Sequence, residues 1–130
     1  MKENDEGGQN HFRLIEAPEQ VVHGLAIVRN TSRGIVIGDF LRLDLTSIEP
    51  EVLLVRISPL PLKEEPAPEQ ILKWNTPYNF EGTNNYLVAE LDMHPSHAYP
   101  NARIKLDFPA DVKILRDELV QDYPPKSRFK

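Results

Sequence analysis

The strict alternation of residue types between positions 41 and 57 constrains the fold of this chain more than any other feature. Apolar residues recur at every second position on both sides of a short polar turn. The residues that share a side are Leu41, Leu43 and Leu45 before the turn, and Leu53, Val55 and Ile57 after it. Successive side chains of a strand point to opposite faces of a sheet, so a period of two is typical of a strand with one buried face. The pattern predicts two neighbouring strands over a shared core.

The proline content narrows the fold class further. The chain of 130 residues holds 12 prolines, which is about twice the average share. Because proline lacks a backbone donor and is disfavoured inside helices, these residues divide the chain into short segments. We therefore predict an all-β fold, a small antiparallel β-sandwich or β-barrel of about six to eight strands with at most one or two short helices.

The domain organisation follows from where polar and apolar segments lie. Residues 1–10 are polar and contain two glycines, which predicts a disordered N-terminal tail. A chain of this length is expected to form one domain, and we place a single β domain at 11–123. Tyr123 is followed by two prolines that end regular structure, so residues 124–130 are predicted to be a C-terminal tail.

Three segments in the first third of the chain carry local predictions. Residues 21–28 are apolar on both parities, which predicts a strand packed from two directions, with His23 in the core as a neutral imidazole bonded to a carbonyl. Residues 30–34 have the composition of a turn that closes a hairpin. Gly38 and Asp39 interrupt the next apolar run and predict a bulge or sharp bend.

The later segments predict loops, a helix and a hairpin. Residues 59–68 hold four prolines and are expected to form an extended loop, after which residues 69–73 are predicted to be a short helix. Residues 86–92 and 102–108 alternate in a matched way that predicts a hairpin with Glu90 opposite Arg103 or Lys105. Residues 111–120 predict a short strand followed by a helical turn.

Charge and cysteine content limit the function classes. The net charge of −5 opposes phosphate backbones, so nucleic-acid binding is disfavoured. The chain has no cysteine, which excludes disulfides, thiolate metal ligands and cysteine nucleophiles. The first ten residues have no apolar core typical of a signal peptide, and no run approaches the roughly 18 apolar residues of a membrane span. The default expectation is a soluble cytoplasmic protein with no membrane partner.

A possible metal site lies at the end of one predicted strand. Asp92 shares strand parity with His94, and His97 follows three residues later. Two imidazoles and a carboxylate in one loop can bind a divalent cation, although no fourth ligand is identifiable. Exposed histidines in a hairpin loop are the alternative, and on that interpretation the protein has no cofactor.

Four of the aromatic residues fall within thirteen positions. They are Trp74, Tyr78, Phe80 and Tyr86. Rings in a loop rich in proline and asparagine can form a ligand-binding platform, because they offer a large rigid area and a polar group. The same rings can instead anchor the loop to the core. Anchoring is the favoured interpretation, because a long loop without anchors would be mobile.

The leading functional hypothesis is a non-catalytic binding or interaction module. It would present the loops within 59–85 and 93–101 to a protein partner or a small ligand, since the chain contains no Gly-rich phosphate loop and no Gly-x-Ser-x-Gly turn. One rival is a metal-dependent enzyme or metal-binding protein that uses residues 92–97. Another is an acidic inhibitor or immunity-type protein, which rests on net charge alone. The sequence does not indicate the oligomeric state.

Overall fold

The computed structural model describes residues 12–31, 33–92 and 100–119, which form short strands joined by turns and loops. One 3₁₀ turn, Asp117–Leu119, ends the described part of the chain. The strands in these residues are β1 (Leu14–Glu16), β2 (Leu25–Arg29), β3 (Gly34–Ile37), β4 (Leu41–Ile48), β5 (Val52–Pro59), β6 (Glu69–Lys73), β7 (Tyr78–Phe80), β8 (Tyr86–Asp92), β9 (Asn101–Asp107) and β10 (Ile114–Arg116).

The strands form two antiparallel sheets that pack as a sandwich. The first sheet has the order β1-β7-β8-β9-β2 and the second the order β10-β3-β4-β5-β6. The predicted all-β fold class is therefore confirmed. The ten described strands exceed the six to eight expected, because β1, β7 and β10 have only three residues each. Segments that short show no measurable period in the sequence.

The core lies between the two sheets and is built from the alternating positions. Leu43 and Val55 are completely buried, and Leu43 pairs with Ile57 across β4 and β5. The alternation of residues 41–57 thus places its apolar side in the interior, as predicted. Removal of this apolar surface from water is the main force that holds the two sheets together.

The hairpin of β8 and β9 is also confirmed. Its register places Glu90 opposite Arg103. The Glu90 carboxylate lies 3.6 Å from Arg103 Nε and 4.0 Å from Lys105 Nζ. Leu87 and Leu106 form a matched pair on the inner face of the first sheet, where both are buried. The apolar pattern favours this pairing, because a shift of the register by one residue would turn one of the apolar sets toward solvent.

Residues 69–73 form strand β6, so the prediction of a short helix there is wrong. Leu72 is buried and pairs with Leu53, while Ile71 faces outward. A helix of five residues could close very few internal hydrogen bonds, and nucleation of such a helix is unfavourable. Pairing with β5 supplies ladder hydrogen bonds along one side of the strand instead, so tertiary context decides the structure of this segment.

The prediction of a hairpin at residues 30–34 is also wrong. β2 pairs with β9 in the first sheet, whereas β3 pairs with β4 and β10 in the second. The segment therefore carries the chain from one sheet to the other. Its composition indicates a change of direction but not which strand becomes the partner, because that choice depends on contacts distant in sequence.

His23 lies before β2 and is exposed, so its predicted place in the core is a further error. Its backbone N–H donates to Asp107 Oδ2 at 3.2 Å. Val21 and Leu25 on the same parity are 64% and 51% exposed. β2 is an edge strand. Its side chains are buried only between Ile27 and Arg29, on the face that points toward the second sheet.

The last described segment agrees with its prediction, since β10 is followed directly by the 3₁₀ turn. The predicted tails at 1–10 and 124–130 lie outside the described residues and stay predictions. Within the described residues, no helix has the length and apolar character needed to cross a membrane.

Candidate binding site at the β3–β4 turn

A pocket of about 450 Å³ lies on the outer face of the second sheet, next to the turn between β3 and β4. Three segments contribute to it: the end of β3 with its turn, the residues before β10, and β10 itself. The lining residues are Val36, Gly38, Asp39, Phe40, Asp111, Val112, Lys113 and Leu115. A concave site of this size falls in the range of small-ligand pockets.

The turn that shapes the pocket depends on Gly38. The φ angle of Gly38 is +59°, a conformation that L-residues with a side chain rarely adopt. A Cβ atom at this position would lie 2.6 Å from Cε1 of Phe40. The glycine therefore allows the Phe40 ring to fold back over the turn. Its N–H donates to the Lys113 carbonyl at 2.6 Å, which ties the turn to the segment before β10.

The pocket has an apolar floor and a charged rim. Val36 is only 2% exposed although it faces away from the core, and it pairs with Leu115 of β10. Phe40 is 40% exposed and forms one wall. Asp39, Asp111 and Lys113 are exposed side chains around this apolar surface. The combination of an apolar base with a few polar groups is typical of a recognition site.

The proline-rich loop 60–68 begins beside this pocket. The Leu60 N–H donates to the Phe40 carbonyl at 3.0 Å. Residues 61–66 are exposed, and Leu62 is 43% exposed. Phe40 and Leu62 thus present two large apolar side chains at the same end of the sandwich. The extended loop predicted at 59–68 is confirmed for residues 60–68, none of which belongs to a helix or strand, whereas Pro59 ends β5.

Two of the four predicted aromatic ligand residues lie in the core. Tyr78 is 3% exposed and Phe80 is 2% exposed. The Phe80 ring meets the Phe108 ring edge-on with centroids 5.1 Å apart, a favourable geometry for aromatic pairs. The Tyr78 hydroxyl accepts a hydrogen bond from the Lys73 N–H at 2.9 Å. These two rings hold residues 75–85 against the sandwich.

The other two aromatic residues are half-buried and lie apart. Trp74 packs against the core and its indole N–H donates to the Glu49 carbonyl at 2.9 Å. Tyr86 lies on the outer face of the first sheet, in register with Asn79 and Asp107. The four rings therefore do not share one surface. Ligand binding by Trp74, Tyr78, Phe80 and Tyr86 stays a prediction.

The predicted metal ligands are only partly described. Asp92 ends β8 and is half-buried opposite Asn101, while His94 and His97 lie outside the described residues. In ranges 12–31, 33–92 and 100–119 there is no group of three histidine, aspartate or glutamate side chains that could hold a metal ion. The metal hypothesis stays a prediction.

A charged cluster surrounds Arg29, and no pattern in the sequence predicted it. The Arg29 side chain is 7% exposed and bonds both carboxylates of the 3₁₀ turn, Asp117 at 3.1 Å and Glu118 at 2.7 Å. Arg42 of β4 also bonds Asp117, at 3.1 Å. Arg29 lies on β2 of the first sheet and Arg42 on β4 of the second, while Asp117 and Glu118 lie in the 3₁₀ turn that follows β10. The cluster therefore joins the two sheets through this turn along one edge.

The backbone at Gly34 makes room for this cluster. A Cβ atom there would lie 2.6 Å from Asp44 Oδ1 and 2.9 Å from Arg42 Nη2. The Gly34 N–H donates to Asp117 Oδ2 at 3.0 Å. Hydrogen bonding from the Arg29 guanidinium is the main cause that lowers the pKa of Glu118 to about 2. The opposite charges pair with each other, so the cluster links the 3₁₀ turn to Arg29 and Arg42.

The sequence matches no family model, and no curated protein or solved structure is significantly similar to it. The function therefore has to be argued from the residues of the chain. Of the surfaces described, the pocket beside Phe40 combines concavity, an apolar floor and an adjoining exposed loop.

Proposed function

We propose that this domain is a non-catalytic binding module whose contact surface is the Phe40 pocket together with loop 60–68. The observation that carries the proposal is the pocket of about 450 Å³ with Val36 and Leu115 at its base and a 40% exposed Phe40 at its wall. Exposed large aromatic side chains beside a concave apolar surface are common anchors of recognition.

The chemistry of the lining indicates the kind of ligand. The base would accept an apolar side chain or ring, because burial of such a group removes apolar surface from water on both sides. Asp39 and Asp111 on the rim favour a ligand with a cationic or N–H donor group next to that apolar group, while Lys113 is the one basic lining residue. A protein segment with a large apolar residue beside a basic one fits this description.

The charged residues of the pocket lining favour binding over catalysis. Its charged side chains are Asp39, Asp111 and Lys113, and none of the three forms a hydrogen bond with another lining side chain in the described structure. Acid–base and nucleophilic catalysis need such groups within hydrogen-bond reach of each other or of a positioned water. An exposed apolar surface with charges at its rim suits recognition better.

The test is a titration with small fragments, monitored by two-dimensional ¹H–¹⁵N NMR. The probes are small aromatic compounds that carry an amine, compared with the same rings without it. We expect shifts at residues 36–40 and 111–115, with affinity for the amines about tenfold weaker in Phe40→Ala. Ile15→Ala is the matched control, because Ile15 is a 38% exposed apolar residue in the other sheet. Equal affinity of Phe40→Ala and wild type, or shifts confined to other residues, would contradict the proposal.

A further inference from the structure

The described part of the chain ends close to the Phe40 pocket. Leu119 is the last described residue, and it follows Leu115 of the pocket lining by four positions. Four residues span at most about 14 Å. The 3₁₀ turn that contains Leu119 is held to Arg29 through Glu118, at 2.7 Å. The segment that follows Leu119 therefore starts at a fixed point within a short distance of the pocket.

The starting point of this segment and the pocket lie beside the same face of the second sheet. Leu41 and Leu43 point into the core, so Arg42 between them points outward. Arg42 pairs with Val36 at the base of the pocket, and its guanidinium bonds Asp117 of the 3₁₀ turn at 3.1 Å. The turn is therefore attached to the face that carries the pocket.

The rim of the pocket carries two carboxylates that have no partner among the described residues. Asp39 and Asp111 are exposed, and within ranges 12–31, 33–92 and 100–119 neither side chain forms an ion pair or a hydrogen bond. Lys113 is the one basic residue of the lining. The rim therefore carries more negative than positive charge and attracts a cationic group.

Residues 126–130 have the composition that this rim and the apolar base would accept. They are Lys-Ser-Arg-Phe-Lys, with three positive charges and no negative charge, in a chain whose net charge is −5. Phe129 lies between Arg128 and Lys130, so one large ring has a cation on each side. The chain thus contains its own example of an apolar residue beside a basic one.

We infer that segment 126–130 binds in the Phe40 pocket of its own chain. The Phe129 ring lies on the apolar base, and its two basic neighbours lie beside the carboxylates of the rim. This inference rests on the proposed binding function of the pocket and names the ligand that fills it at rest. The domain is then autoinhibited, because an external partner has to displace the segment before it can bind.

The spacer between the fold and this segment suits a contact within one chain. Residues 120–128 span up to about 30 Å when extended, about twice the distance that separates Leu119 from Leu115 at most. A short flexible spacer gives an effective concentration in the millimolar range, far above the micromolar concentration of a second copy in dilute solution. The segment of the same chain therefore occupies the pocket before that of another copy.

The tether makes a weak contact sufficient. With an effective concentration of about 1 mM, a dissociation constant of about 0.3 mM for the free segment would fill about three quarters of the pockets. The apparent affinity of an external ligand would then be about fourfold weaker than its affinity for an empty pocket. The segment thus sets a threshold for binding without abolishing it.

The first test uses the absence of cysteine from the chain. In Ser127→Cys a nitroxide attached to the single thiol broadens the amide signals of nearby residues in ¹H–¹⁵N NMR of the full chain. We expect the signals of Gly38, Phe40 and Val112 to lose more than half of their intensity, to the same extent after dilution. Broadening centred on Leu119, as a solvated basic segment would produce, overturns the inference. Broadening that falls on dilution also overturns it, because the contact would then lie between copies.

Two aromatic variants of the labelled chain form a matched pair. Phe129→Ser removes the proposed anchor and should restore most of the lost intensity at Gly38 and Phe40. Tyr123→Ser removes the other ring of residues 120–130, which has no basic neighbour, and should leave the broadening unchanged. The thermal midpoint of each variant is measured to confirm that it is folded. Equal effects of the two variants would overturn the assignment of Phe129.

Reversal of two charges tests the role of the rim. Arg128→Glu with Lys130→Glu keeps the Phe129 ring but places negative charges beside Asp39 and Asp111. We expect this double variant of the labelled chain to lose most of the broadening at the pocket, because like charges repel. Broadening as strong as in the labelled parent would overturn the proposed pairing with the carboxylates.

The fragment titration separates this inference from the binding function. The apparent dissociation constant of the aromatic amines should be about fourfold lower in Phe129→Ser than in wild type, because the pocket is no longer occupied. Equal affinities in the two proteins, together with no broadening at the pocket, would overturn autoinhibition and leave the binding function standing. Fragments that bind neither protein, together with broadening centred on the pocket, would support the contact within the chain and contradict the binding function.

Discussion

Arg29 and Glu118 form a two-point ion pair, with Nη1 2.7 Å from Oε1 and Nη2 3.1 Å from Oε2. The two residues are 89 positions apart in the chain. Two parallel hydrogen bonds between a guanidinium and a carboxylate fix the relative orientation of the two groups and also strengthen the ion pair. Together with the bond from Arg29 to Asp117, it fixes the 3₁₀ turn to the edge of the sandwich.

Removal of the arginine should destabilise the fold strongly. Arg29→Ala removes one of the two arginines that bond the Asp117 carboxylate, which is 14% exposed, together with the ion pair to Glu118. We expect a loss of about 3 kcal/mol in the free energy of unfolding. Urea denaturation measures this change. Arg33→Ala is the control, because Arg33 is 51% exposed and lies 4.0 Å from Asp117; its effect should stay within about 0.5 kcal/mol. Equal effects of the two variants would contradict the structural role of Arg29.

The ion pair also predicts a dependence of stability on pH. Hydrogen bonding from Arg29 lowers the pKa of Glu118 from 4.5 to about 2. A carboxyl group with a lowered pKa in the folded state stabilises the fold fully above its unfolded pKa, and this contribution is lost as the pH falls toward the folded pKa. The difference in unfolding free energy between wild type and Glu118→Gln should therefore be constant above pH 4.5 and shrink toward pH 2. A difference that does not change between these values would show that the carboxylate is not preferentially stabilised in the folded state.

Truncation of a single core side chain should strongly lower the free energy of unfolding. Leu43 is completely buried on the central strand β4. Leu43→Ala should lower the free energy of unfolding by about 2–5 kcal/mol, because it removes buried apolar surface and leaves a cavity. Leu62→Ala provides a matched leucine control, since Leu62 is 43% exposed. The expected effect of that control is within about 0.5 kcal/mol. Chemical denaturation of both variants compares them, and a Leu43→Ala protein as stable as wild type would contradict the assigned core.

Gln70 closes the edge of the sandwich between β6 and β1. Its side chain accepts the Leu14 N–H at 2.9 Å and donates to the Phe12 carbonyl at 2.8 Å. Gln70→Ala should raise the exchange rate of the Leu14 amide about fivefold, which corresponds to roughly 1 kcal/mol for a lost hydrogen bond. Gln20→Ala is the control, because the Gln20 side chain bonds only the neighbouring Val21 carbonyl. If exchange at Leu14 is unchanged in Gln70→Ala, the Gln70 side chain does not stabilise the edge between β6 and β1.

The sequence predicts the sheets well where a strand has one buried face. The alternation at 41–57 and the matched pattern of 86–92 and 102–108 identify four long strands, because the period of two is visible over seven or more residues. Residues 69–73 and the hairpin assigned to 30–34 could not be predicted in this way. Their structure depends on which distant strand lies beside them, and local composition carries no information on that choice.

The candidate site was harder to predict than the fold. Phe40 lies on the polar parity of its segment, and a large apolar residue there, next to Gly38, is a signal that an outward surface is used. The contribution of residues 111–115 to the pocket has no local signal, since β10 reaches β3 only through tertiary pairing. The Arg29 cluster also has no local signal in the sequence, because its members come from three separate parts of the chain.

The fold consists of two five-stranded sheets whose central strands are paired on both sides, while the Ile71 N–H and loop 60–68 take no part in the ladders. Residue-resolved amide hydrogen exchange of the full chain at low concentration tests this arrangement most directly. The account predicts the slowest exchange in β4 and β8, which lie at the centres of their sheets, and fast exchange at Ile71 and throughout loop 60–68. Rapid exchange of β4 and β8, or protection of Ile71 equal to theirs, would contradict it.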